Sequence, residues 1–224
     1  MNNVIALPNS LSETLIKSDL SSMTTEGLEI GIDQCLSDGI VRDIPIINSL
    51  VSIVKTTQSI SNYLFLKKIV AFLNGIKDIP KEKREQEIQK IEESKKYRNK
   101  VGEQLLFIIE HCEDDIKAEH IAYWFKAFIN EVVDYSEFLQ GASAINRLTT
   151  ADFNAFIEEN VDLYYDNSTY IGAGLMFMSM EDVSVENIEP CDWDERPHLH
   201  VNGGKLEVEM TCLGSKIRDV FKNK

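Results

Sequence analysis

Residues 101–148 read VGEQLLFIIEHCEDDIKAEHIAYWFKAFINEVVDYSEFLQGASAINRL. Val101, Leu105, Ile108, Ile109 and Cys112 fall at the three-and-four spacing of one helix face, with Glu103, Gln104, Glu110 and His111 on the other. Glu113, Asp114 and Asp115 break that pattern. Asp114 or Asp115 suits an N-cap, because a short carboxylate accepts from the free N–H groups of a new helix. A second stripe follows at Ala118, Ile121, Ala122, Phe125, Phe128, Ile129 and Val132, flanked by Trp124. Asp134-Tyr-Ser-Glu137 then has capping-box spacing, and Phe138, Ala142 and Ile145 carry a third apolar face. Connectors this short predict antiparallel helices packed on one another.

Outward from this core the chain remains helical on both sides. The Ser/Asn/Thr-rich start, residues 1–25, reads as loose or as a weakly formed helix. Leu28, Ile32, Cys35 and Leu36 suggest a short helix stopped at Asp38-Gly39. Residues 44–73 form the most apolar segment, with Pro45 suited to a first helical turn. It reads as a core helix or bent pair. The other reading is a membrane-inserting hairpin, in which Ile46, Ile47, Leu50, Val51 and Leu64 enter lipid and Lys67 and Lys68 meet its phosphates. Residues 77–100 are densely charged with few apolar positions and predict a solvated arm or a connecting helix.

After residue 150 a helix capped by Thr150 carries Phe153, Phe156, Ile157 and Val161. Composition then changes. Met176, Met178 and Met180 alternate with other residues as in a strand, residues 187–197 read as an acidic loop, and Asn202-Gly203-Gly204 between two short apolar runs reads as a hairpin turn. The last residues suggest a short helix. The fold class is therefore mainly α: a helical bundle over residues 1–165, with a small C-terminal β-hairpin or winged-helix-like appendage over 166–224. His198 to Met210 would be its wing, with His198 and His200 facing Glu207 and Glu209 across it.

Composition narrows the function. Thirty-seven acidic residues against 23 basic ones give a net charge of −14, which repels phosphate backbones and disfavours unaided nucleic-acid binding. No window is apolar enough to span a bilayer, and the first residues lack the pattern of a signal peptide. Cys35, Cys112, Cys191 and Cys212 lie far apart and read as reduced thiols of a cytoplasmic protein.

Chemistry-bearing patterns are weak. His198-x-His200 with Cys191 and Cys212 could offer zinc ligands, but no CxxC pair supports it. Glu110, Glu113 and Asp114 could bind a cation or act as paired carboxylates, yet helix capping explains them more simply. His111 and Cys112 are adjacent on a helix and point to different faces, so they form no nucleophile–base pair, and His120, one helix later, reads as a surface residue. There is no phosphate loop or nucleophile elbow, and Gly172-x-Gly174 lacks the third glycine of a dinucleotide fingerprint. No catalytic residue and no cofactor is expected.

The runs Asp38-Gly-Ile-Val-Arg-Asp-Ile-Pro-Ile-Ile47, Tyr63-Leu-Phe-Leu-Lys-Lys68 and Val101-Gly-Glu-Gln-Leu-Leu106 resemble a group of uncharacterised bacterial cytosolic helical proteins. Lys117-Ala-Glu-His-Ile121 and Val133-Asp-Tyr-Ser-Glu-Phe138 fit the same pattern, over residues 35 to 160. The acidic helical core is also similar to TerB-like bundles of stress and antiphage systems. That resemblance implies a stress or antiviral-defence setting and carries over no functional residue.

The expected function is a non-enzymatic protein-interaction or regulatory protein, with Met176, Met178 and Met180 as candidate partner surface or self-association surface. The alternatives are a membrane-active effector using residues 44–73 and a winged-helix-like DNA-binding regulator.

Overall fold

A computed structural model describes residues 3–21, 23, 44–94, 100–158, 167–188 and 198–222. The short helix expected around Leu28 to Leu36, Cys35 and Cys191 lie outside the described residues. Among the described residues the chain is mainly helical, with a small antiparallel β element near its end. The helices before it are α1 (Asn3–Lys17), α2 (Pro45–Thr57), α3 (Ile60–Gly75), α4 (Lys81–Glu92), α5 (Val101–Glu110), α6 (Asp115–Ile129), α7 (Tyr135–Arg147), α8 (Thr150–Ile157) and α9 (Ser168–Ala173). Strands β1 (Met176–Met180), β2 (Ser184–Ile188), β3 (His198–Asn202) and β4 (Leu206–Met210) follow, and α10 (Cys212–Lys222) closes the order.

The three helices of residues 101–148 form as their apolar spacing requires. The Asp114 carboxylate accepts from the backbone N–H of Lys117 at 2.7 Å and starts α6. Asp134 and Glu137 make a complete capping box on α7, with reciprocal bonds of 2.8 and 3.0 Å. Helix α6 is the central element, packed against α3 on one side and α7 on another. Trp124 is fully buried rather than flanking, and its indole N–H donates to the Phe138 carbonyl at 3.0 Å. Gly141 makes room for it, since a β-carbon there would lie 2.3 Å from the indole nitrogen. Phe72, Phe125, Phe128, Tyr135 and Phe138 fill the layer between α3, α6 and α7, with ring centroids 5.4–6.0 Å apart.

Residues 44–73 fold as a bent pair, α2 and α3, broken at Gln58 in the left-handed region (φ +50°). Helix α2 has no capping side chain of its own. Buried Thr14 of α1 supplies one, its Oγ accepting from the Ile46 N–H at 3.1 Å.

Four local expectations need correction. Residues 3–17 are a regular helix, because Leu11 and Leu15 lie in the core between α2 and α5. The charged helix α4 is not a solvated arm: Arg84 is 1% exposed and donates to the Ser18 carbonyl at 2.7 Å. Burial lowers the pKa of that guanidinium, against the opposing pull of Asp19. Thr149, one residue earlier than expected, caps α8, and Thr150 turns its hydroxyl to Asp114. His120 is buried between the rings of Phe153 and Phe221, at 4.8 and 5.7 Å, because α10 returns to cover α6.

The β element also pairs differently from expectation. Met176 to Met180 pairs with Met210 to Leu206, and Ser184 to Ile188 pairs with Asn202 to His198. Both blocks share one register, so residues 176–188 and 198–210 are the two arms of a single long ribbon, interrupted at 181–183 and 203–205. Gly203 and Gly204 therefore make no hairpin turn; they kink one arm, with φ of +85° and +76°. The strands on either side of them face other strands, so His200 opposes Glu186, His198 opposes Ile188, and Glu207 and Glu209 oppose Ser179 and Phe177. Pairing the arms along their length satisfies the backbone of 176–188, which a short hairpin at 202–204 would leave without a ladder.

Candidate functional site

Two places gather the residues singled out from sequence: the corner between α5 and α6, and the ribbon. At the corner a groove of about 440 Å³ is lined by Leu64, Lys67, Lys68, Glu110, Glu113 and Asp114 among others. Lys67, Lys68, Glu113, Asp114 and Asp115 are already engaged, while the Glu110 side chain is exposed. The Lys68 ammonium donates to the carbonyls of Glu110, at 3.1 Å, and Cys112, closing the C-terminal end of α5. Lys67 faces Asp115 at 3.8 Å. Lys117, 2% exposed, donates to the Leu148 carbonyl and pairs with Glu113 at 3.1 Å. Asp114 caps α6 and also receives the Thr150 hydroxyl at 3.4 Å. These contacts splice helix ends together.

The neighbouring thiol is equally committed. Burial pushes the Cys112 pKa up to about 12, and its Sγ lies 3.5 Å from the Ile108 carbonyl. His111 bonds its own helix through Nδ1, 2.8 Å from the Phe107 carbonyl.

His200 and Cys212, the zinc candidates whose side chains are described, do not come together. His200 lies on β3, beyond the kink, whereas Cys212 opens α10 at the ribbon's base and is exposed. Ten residues of extended chain between His200 and Met210 separate them by roughly 25–30 Å. His198 has only its strand position, opposite Ile188. Among the described residues no group of three or more His, Cys, Asp or Glu could hold a metal ion.

The membrane candidates divide. Ile46, Ile47, Leu50 and Val51 are core residues under α1 and α3, and Leu64 is half-exposed at the corner groove. Among the described residues no helix is long and apolar enough to cross a membrane.

The ribbon is where the molecule departs from the pattern of a closed core. Opposed residues of an antiparallel pair share a face, so Met176, Met178, Met180, Leu206, Val208 and Met210 form one apolar face of its proximal half. Met176 is buried against the bundle, and Val208 and Met210 pack partly on it. Met178, Met180 and Leu206 continue outward at 55%, 62% and 66% exposure. The opposite face carries Phe177, Ser179, Glu207 and Glu209, with the Ser179 hydroxyl donating to Glu209 at 3.0 Å. Beyond the kink Val183, Val185, Leu199 and Val201 are exposed as well. The apolar residues thus pass from even to odd positions in the first arm at the point where the glycines interrupt the second.

Both roots of the ribbon are fastened. Thr211 donates from its backbone to the Leu175 carbonyl at 3.0 Å, and from its hydroxyl to the Gly174 carbonyl at 2.9 Å. Helix α10 then buries Ile217 and Phe221, the latter ring 4.9 Å from that of Phe153. Lys216 pairs with Glu137 of the α7 capping box, and Arg218 donates to the Phe156 carbonyl at 3.1 Å while lying over that ring. Sequence reasoning identified the methionines but missed that Leu206 extends their face and that Val183, Val185, Leu199 and Val201 form a second exposed apolar patch on the ribbon. The continuous register that places them depends on pairing between residues 10 to 34 positions apart. No protein family, curated protein or solved structure matches this chain.

Proposed function

We propose that this is a non-enzymatic interaction protein, whose helical bundle holds the ribbon out for another protein to grip. The observation that carries the reading is the run of exposed apolar side chains, Met178, Met180, Val183, Val185, Leu199, Val201 and Leu206, on an element rooted in a well-filled core. A two-stranded ribbon in water is marginal by itself, and clustered exposed apolar side chains on such an arm mark a docking site. Methionine suits such a surface because its flexible thioether adapts to a partner's contours. The engaged charges at the α5–α6 corner favour this reading over catalysis.

The test compares full-length protein with the triple variant Met178→Ser, Met180→Ser, Leu206→Ser, both tagged and expressed at native level in the source organism. Proteins that co-purify are quantified by mass spectrometry. The proposal expects at least one protein enriched with the parent chain and lost with the variant. Identical recoveries from the two, or a substrate turnover that the variant retains, would overturn it.

A further inference from the structure

We infer that the partner gripping the ribbon presents an apolar groove rimmed by lysine and arginine. This rests on the docking role proposed above and names the chemistry of the occupant. Residues 176–210 contain nine acidic residues and two basic ones, Arg196 and Lys205, so this one stretch carries −7 of the chain's −14. Among the described residues of the ribbon, Glu181, Asp182, Glu186, Glu207 and Glu209 are all exposed. Glu207 and Glu209 stand on the face opposite the methionines, while Glu181 and Asp182 occupy the kink. An apolar strip backed by carboxylates on the arm's other face and flanked by them at the kink is complementary to a cleft with a greasy floor and basic walls that reach around the arm. The floor would cover Met178, Met180 and Leu206, and the walls would meet the acids.

The same charges argue against the other occupants. A second copy would bring two arms of −7 together, within the roughly 8–10 Å over which charges act at physiological salt. Nucleic acid and anionic lipid surfaces are repelled for the same reason. Affinity for a basic groove arises from burying the methionine face, and selection against acidic or neutral grooves arises from Glu207 and Glu209.

The experiment places the photocrosslinker p-benzoylphenylalanine at position 180 of the full chain, in cells of the source organism. Adduct yield is compared for the parent, for Glu207→Lys with Glu209→Lys, and for the milder Glu207→Gln with Glu209→Gln. All three are checked for the parent's circular dichroism after purification; both glutamates are exposed, so the fold is expected to survive. The expected result is a heterologous protein adduct whose crosslinked peptide is flanked by Lys or Arg, with yield reduced about fivefold by the lysine pair and less by the glutamine pair. A protein adduct of undiminished yield in the charge-reversed chain overturns the basic rim and leaves docking intact. An adduct solely with a second copy of this chain overturns the inferred partner, and no protein adduct at all overturns both this inference and the docking role.

Discussion

Gly203 rests directly on the backbone of Asp182: a β-carbon at Gly203 would lie 2.0 Å from the Asp182 carbonyl oxygen, at a φ of +85°. No side chain fits there, so this contact fixes where the ribbon kinks. Gly203→Ala forces the two arms apart at the cost of about 1–3 kcal/mol in local strain. The outer pairing of β2 with β3 should therefore open more often, while α6, buried elsewhere, is unaffected. Deuterium uptake at Val185 and Val201 is expected to speed up with no change at Ile121 or Phe125. Uniform uptake in parent and variant would show that the kink does not depend on this glycine.

The acids of the α5–α6 corner should behave as helix caps and not as a cation site. Asp114→Ala removes the acceptor for the Lys117 N–H and is expected to cost about 1 kcal/mol, a fall of about 3 °C in Tm. Glu110→Ala, on an exposed side chain, is expected to change stability by less than about 0.5 kcal/mol. Thermal melts with and without millimolar Mg²⁺, Ca²⁺ or Zn²⁺ check this. A cation that raises the parent's Tm, and loses that effect in both variants, would contradict the capping account.

The link between α10 and α7 carries a defined pH dependence. The Lys216 ammonium and the Asp134 N–H hold the Glu137 carboxyl below its ordinary value of 4.5, and Glu137 in turn holds Lys216 above 10.5. A lowered acid stabilises the fold above its unfolded value, and that contribution disappears as pH falls through the folded value. The raised lysine contributes below 10.5 and is lost as pH rises through its own folded value. The pair is therefore fully effective at neutral pH. Glu137→Gln keeps an acceptor for the capping box but removes the charge. Urea unfolding from neutral pH to about pH 3 should show a shallower acid decline for this variant. Parallel declines in parent and variant would contradict the assignment.

What the sequence made legible follows from range. The stripes at Val101 to Ile109 and Ala118 to Ile129, the Asp114 cap and the Asp134–Glu137 box are set within one or two helical turns, and each stands where its spacing places it. Pro45 marks the start of α2 for the same local reason. Distant partners hid the rest. His120 looked like a surface residue because Phe221, which covers it, lies a hundred residues later. Arg84 looked solvated because its acceptor, the Ser18 carbonyl, belongs to the first helix. The methionines were visible as an alternating run. Their role as the proximal face of a long ribbon required the pairing of Met178 with Val208, and glycines that resemble a turn conceal that pairing.

The central claim is that the ribbon's apolar face serves another protein and not this chain's own core. Its most direct test is the thermal unfolding of the isolated triple variant Met178→Ser, Met180→Ser, Leu206→Ser. Side chains more than half exposed and standing outside the bundle core should be replaceable with a change in Tm within about 3 °C. A fall of more than about 10 °C, the scale expected when core Leu and Met residues are lost, would mean the face is packed within the protein and would contradict the account.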